Sequence, residues 1–176
     1  MKPRYAHAPR PSVPNPRAAL LGAVLDFVGE ASACPGVARI ALIGSLATPK
    51  PVPKDADMLV TLEDDADLAP LARISRRLQG RAQGFNLGAD IFLCDRAHRY
   101  IGRVCHYREC HLRALCQAQS CGMREHREHL NDDLHIVTLK APVILSPPFV
   151  LWPEVERNVQ APEDVEQLLL AALKRQ

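Results

Sequence analysis

The sequence predicts an α+β fold: a small mixed sheet with flanking helices, and a Cys/His-rich segment set into the second half. Three observations carry this expectation. Strand-length apolar runs and stretches of helical periodicity follow one another over residues 17–98 in the order helix, strand, strand, helix, strand. Turn formers stand at the joins: Pro35-Gly36, Gly44-Ser45, and the pair Gly84 and Gly88. Hydrophobic residues make up 47% of the 176, enough for one packed core and too many for a disordered chain.

Residues 1–16 hold five prolines and form a loose arm. Ala18, Leu21, Val24, Leu25 and Val28 recur at helical spacing, so a helix runs to about Ala33, where Pro35-Gly36 stops it. Val37–Ile43 is a short apolar run, interrupted only by Arg39, with turn residues at both ends, the mark of a buried strand. A loop with Pro49, Pro51 and Pro53 leads to a second strand over about Ala56–Leu62. Asp67 can cap a helix over Leu68–Gln79 with Leu68, Leu71, Ile74 and Leu78 facing inward. Ala89–Cys94 is a third strand. The texture then changes. Residues 99–131 carry four of the six cysteines and four of the seven histidines, and read as an insertion outside the core. Leu134–Leu145 returns to strand-like apolar character, and Pro162-Glu163-Asp164 opens a closing helix that ends near Lys174. The expected organisation is an arm (1–16), a core (17–98), the Cys/His segment (99–131), and a strand and helix completing the core (132–176).

Charge and hydropathy narrow the function classes. Twenty-two basic and 20 acidic residues leave a net charge of +2, so bulk charge points to neither nucleic acid nor a membrane surface. No apolar run is long enough to span a bilayer, and the basic N-terminus lacks the apolar stretch of a secretory signal. A cytoplasmic location with no membrane partner is the expectation.

The chemically informative segment is Ile43-Gly44-Ser45-Leu46-Ala47-Thr48-Pro49-Lys50-Pro51-Val52-Pro53-Lys54-Asp55-Ala56-Asp57-Met58-Leu59-Val60. Strand parity puts Ala56, Met58, Val60 and Leu62 on one face and Asp55 and Asp57 on the other. Backbones two residues apart on a strand lie roughly 7 Å from each other, and their side chains can converge on divalent ions, which sit roughly 3.5–4 Å apart in two-metal sites. Glycine at 44 lets the backbone approach a ligand, and the following N–H groups with the Ser45 hydroxyl can hold phosphate oxygens. Lys54 joins them as a nucleotide-binding candidate; the plain alternative is a solvated residue at the start of the strand. Asp90, at the head of the third strand, is a third carboxylate that can bind metal or take a proton from an attacking group.

Gly-Ser, nine residues, Asp-x-Asp on a strand and a later Asp on another strand resemble the nucleotidyltransferase superfamily, the polymerase-beta-like fold of minimal and aminoglycoside nucleotidyltransferases. The resemblance covers about residues 18–95. It implies transfer of a nucleoside monophosphate from a nucleoside triphosphate, with Ser45 on phosphate, Asp55 and Asp57 on Mg²⁺, and Asp90 as the third carboxylate. The proline-rich loop departs from many relatives, and the second half matches none, so the acceptor stays open among small molecule, protein and RNA.

Cys105, Cys110, Cys116 and Cys121 are spaced C-x4-C-x5-C-x4-C, with His106, His111, His126 and His129 among or behind them. Zn²⁺ takes four such ligands, and a structural zinc is the favoured reading. Buried free thiols are the alternative, as are disulfides in an exported chain. The arginines of this segment are interleaved with acids, which suits a solvated face better than an RNA-binding one. Two functions therefore compete: a Mg²⁺-dependent nucleotidyltransferase, and a non-catalytic interaction or nucleic-acid-binding module that keeps the fold around a structural zinc. The intact Asp55/Asp57 pair favours the enzyme.

Overall fold

The computed structural model describes residues 15–107, 110 and 127–175. Helix α1 (Pro16–Ala31) starts where it should: Asn15 caps it by accepting from the Ala18 amide at 3.0 Å, and Pro16 occupies a first-turn position that needs no donor. Strands β1 (Val37–Ile43) and β2 (Asp55–Leu62) follow, joined through a single 3-10 turn at Ser45–Ala47 and the proline loop. Helix α2 (Leu68–Gly84) is capped by Asp67, which accepts from Ala69 at 2.9 Å. It buries the four apolar residues expected and runs past Gln79 to Gly84. Strand β3 (Gly88–Cys94) lies parallel to β2, with α2 as the crossover that a parallel pair requires.

The remaining strands are β4 (Tyr100–Val104), β5 (Leu130–Asn131), β6 (Phe149–Trp152) and β7 (Glu156–Arg157). Seven strands form one sheet in the order β5-β4-β3-β2-β1-β6-β7, and every pair except β2/β3 is antiparallel. The fold is therefore α+β with a mixed sheet.

Two expectations are corrected here. Residues 99–131 do not lie wholly outside the core, because both described ends are strands of the sheet and Val104 and Leu130 are buried in it. Leu134–Leu145 is not a strand. It is irregular up to the short helix α3 (Ala141–Leu145), and the strand of this region is β6, beyond Pro148. Pro142 explains the difference: proline suits the first turn of a helix and removes a ladder donor from a strand.

The main core lies between the sheet and the helices. α1, α2 and the closing helical segment cover one face; that segment runs from α4 (Glu163–Val165) through π-helical Glu166–Leu170 into α5 (Ala171–Leu173). Ala56, Met58, Val60 and Leu62 of β2 all point into this core, as parity requires. The opposite face carries a smaller cluster of Ala41, Ile43, Leu59, Cys94 and Ile144, roofed by α3. β2 thus carries charge on that face only at its beginning, at Asp55 and Asp57; Leu59 and Thr61 further along are buried. Among the described residues, no helix is long and apolar enough to cross a membrane.

Candidate active site

The three candidate carboxylates come together at one end of the sheet. Asp57 pairs with Asp90 across the parallel β2/β3 ladder, and Asp55 pairs with Gly88. Parallel neighbours in register face the same way, with backbones only about 4.8 Å apart, so Asp57 and Asp90 share a face and Asp55 shares it two residues earlier.

Two glycines make room for them. A Cβ on Gly44 would lie 1.9 Å from Asp57 Oδ2, and Gly44 holds φ at +70°, which side-chain-bearing residues rarely adopt. A Cβ on Gly88 would lie 2.1 Å from Asp55 Oδ1. The backbone of the Gly44-Ser45 turn thus rests directly against Asp57, and Gly44 and Lys54 are exposed to solvent. The Ser45 hydroxyl accepts a hydrogen bond from the Lys54 amide at 3.3 Å, tying the first residue of the loop to its last. All six residues of the motif therefore sit together.

Crowding shows in the electrostatics. Burial, then the charges of Asp55 and Asp90, push the Asp57 carboxyl up to about 7, with Arg103 opposing them. Three acids held this close have an unmet need for positive charge.

Part of that charge comes from residues that sequence reasoning missed. Arg103 on β4 donates to Asp90 Oδ1 at 2.9 Å and to Asp133 Oδ2 at 2.5 Å, and its guanidinium lies 5.8 Å from the centre of the Phe92 ring. Tyr100 donates its hydroxyl to Asp133 Oδ1 at 2.7 Å, while Asp133 itself is 1% exposed. Burial works against the Arg103 charge, but the Asp133 hydrogen bond and the two carboxylates outweigh it, so the proton is held more tightly than usual. His106 Nε2 stands 3.7 Å from the same Asp90 oxygen.

Tyr100 and Arg103 meet one partner because of a bulge. Residues three apart on a regular strand face opposite ways, but β4 has an irregular register opposite Leu93/Cys94, and Gly102 takes φ of +135°. A glycine inside a short strand pattern was the available signal. Two adjacent aspartates before an apolar run suit a turn or a strand entry, and the burial of Asp132 and Asp133 depends on the tertiary fold.

The donor set fits Mg²⁺, which takes hard oxygen ligands and shares them with phosphates. Among the described residues, no three His, Cys, Asp or Glu side chains are already arranged around one metal position. The carboxylates are neighbours whose closure would need Asp90 to divide itself between metal and Arg103. Cavities of about 360, 300 and 490 Å³ are lined by none of the three carboxylates.

The zinc reading is only partly within view. Cys105 is buried and Cys110 half-buried, and the His129 amide donates to Cys110 Sγ at 3.3 Å. Cys116 and Cys121, with His111 and His126, lie outside the described residues.

Comparison with family models, with curated proteins and with solved structures finds no match to this chain.

Proposed function

We propose that this chain is a Mg²⁺-dependent nucleotidyltransferase of the cytoplasm, moving a nucleoside monophosphate from a nucleoside triphosphate to an acceptor. The observation that carries the reading is the juxtaposition of Asp55, Asp57 and Asp90 on one sheet face, with the Gly44-Ser45 turn pressed against Asp57. Acids clustered at the price of raising one carboxyl to about 7 are suited to a cation that neutralises them.

Asp55, Asp57 and Asp90 would hold Mg²⁺, which when bound offsets phosphate charge and polarises the reacting phosphoryl group. The chain's own residues do the rest. Glycine at 44 admits the triphosphate close to the backbone, and Ser45 and Lys54 offer it a hydroxyl and an ammonium. The acceptor's oxygen or nitrogen bonds to the α-phosphorus as the bond to the pyrophosphate oxygen breaks, and Asp90 takes the acceptor's proton. Arg103, braced by Asp133, orients Asp90. Cys105 to Tyr107 leave the sheet beside Asp90, and His106 approaches its carboxylate, so the start of the Cys/His segment borders the acceptor side.

The test is incubation with each labelled nucleoside triphosphate and Mg²⁺. The proposal predicts pyrophosphate release or transfer of label with at least one of them, and loss of both in Asp57→Ala. A second reading, a non-catalytic module, is favoured by the Arg103–Asp90 ion pair, which already supplies the third carboxylate with a cation. It predicts nucleotide or partner binding without turnover, and no Mg²⁺ requirement.

A further inference from the structure

The loop between Gly44 and Asp55 carries three prolines and belongs to no sheet or long helix, yet it must hold the turn that faces the carboxylates. What fixes it is a side chain far away in sequence. Arg17, in the first turn of α1, is 8% exposed and uses its guanidinium completely. Nη2 donates to Leu46 O at 3.3 Å, and Nη1 donates to Thr48 O at 3.0 Å and to Lys50 O at 2.8 Å. Nε and Nη2 together form a fork on Asp164, at 2.6 Å and 3.0 Å. A guanidinium has five N–H donors, and these contacts account for five hydrogen bonds. Lysine has neither the donors nor the plane to replace it.

The geometry has a direction. Three carbonyls of one loop turn inward to a single cation, and Asp164, at the start of the closing helical segment, fixes that cation from the other side. The Arg17 hydrogen bond holds the Asp164 carboxyl below its ordinary value, so the pair is ionised at neutral pH. Within the same loop, Thr48 Oγ1 donates to Ser45 O at 2.8 Å and Ser45 Oγ accepts from Lys54. Arg17 therefore reaches Ser45 through Leu46 and Thr48.

We propose that Arg17, anchored by Asp164, is a positioning residue for the Gly44-Ser45 turn: it sets the loop in its phosphate-binding shape before any ligand arrives. This rests on the nucleotidyltransferase reading above. Preorganisation of this kind lowers the ordering cost of binding, and small misplacements of a positioned group carry large penalties.

The experiment titrates Mg²⁺ with inorganic tripolyphosphate, a probe that needs no knowledge of the base, into the full chain and into Arg17→Ala, Arg17→Lys and Asp164→Asn. Hydrogen exchange over Ser45–Lys54 is followed in parallel. The proposal predicts that every variant that keeps its helical circular dichroism loses affinity on the order of tenfold or more. Faster exchange should be confined to the loop, and millimolar guanidinium should restore part of the affinity to Arg17→Ala. Folded variants that bind the probe as wild type does, or a loop whose exchange is unchanged, overturn it. Should Arg17→Ala not fold, the lysine and asparagine variants decide on the same readouts. Wild-type chain that fails to bind the probe sinks the nucleotidyltransferase reading on its own. Loop exchange then judges whether Arg17 orders the loop.

Discussion

Asp57 is the residue on which the site's chemistry turns. Its carboxyl is raised from 3.8 to about 7 by burial and by its acidic neighbours, so the folded chain holds a proton that the unfolded chain has released. Stability therefore falls as pH rises between those two values, the reverse of an ordinary paired aspartate. Asp57→Asn should raise the melting temperature at pH 8 and leave it nearly unchanged at pH 4, measured by calorimetry at both. The same shift makes Mg²⁺ compete with a proton: affinity should climb with pH up to about 7 and level off above it. A flat pH profile would mean that Asp57 is not a ligand. Gly44 makes a second case at this scale. Gly44→Ala must place a methyl within 1.9 Å of Asp57 Oδ2 at φ of +70°, so a loss of about 1–3 kcal/mol is expected in denaturant titration, with nucleotide binding lost as well.

At the level of elements, β2 and β3 supply the acids and β4 supplies their counter-charge. Asp133→Ala should destabilise the chain by about 3 kcal/mol in urea titration, because it strands the Arg103 Nε and the Tyr100 hydroxyl in a largely buried place. Asp65→Ala, at an exposed turn, is the matched control and should change little.

Local pattern made the central elements readable. β1 carries seven residues bounded by turn formers, β2 alternates at its start, and α2 begins at a capping aspartate. Each is a short-range signal. β4 was hidden because its five residues contain a glycine bulge and border a segment dominated by cysteine and histidine. β6 was hidden because prolines on both sides looked like breakers, although they only bound the strand. The carboxylate triad could be read because parity and spacing are properties of single strands. Arg17, Arg103 and Asp133 could not, since their partners lie 147, 13 and 30 residues away and only the fold brings them together.

Across the whole molecule, the two described ends of the Cys/His segment are tied to each other and to the sheet: Cys105 donates its amide to His129 O at 2.8 Å, and β4 pairs with β5. The segment therefore leaves the sheet beside Asp90, where His106 Nε2 stands 3.7 Å from Oδ1, and returns on β5, one strand further out. Zinc analysis of reduced, unchelated protein should find about one zinc per chain, held by three or four of Cys105, Cys110, Cys116 and Cys121, with histidine making up any shortfall. Much less than one would leave the thiols free or paired. If zinc is present, its removal should weaken acceptor binding more than triphosphate binding, because the described start of the segment, at His106, borders Asp90.

The central claim is that Asp55, Asp57 and Asp90 form a site for a cation-bound triphosphate. Calorimetric titration of a Mg²⁺-bound, non-hydrolysable nucleoside triphosphate into wild-type chain and Asp57→Ala tests it most directly. Asp57 lies on the polar beginning of β2, opposite the apolar stripe, so its truncation opens no cavity in the main core. The account predicts saturable, Mg²⁺-dependent binding to the wild type and none to a variant that melts no lower than wild type. Equal binding by both proteins, or a variant that unfolds, would contradict it.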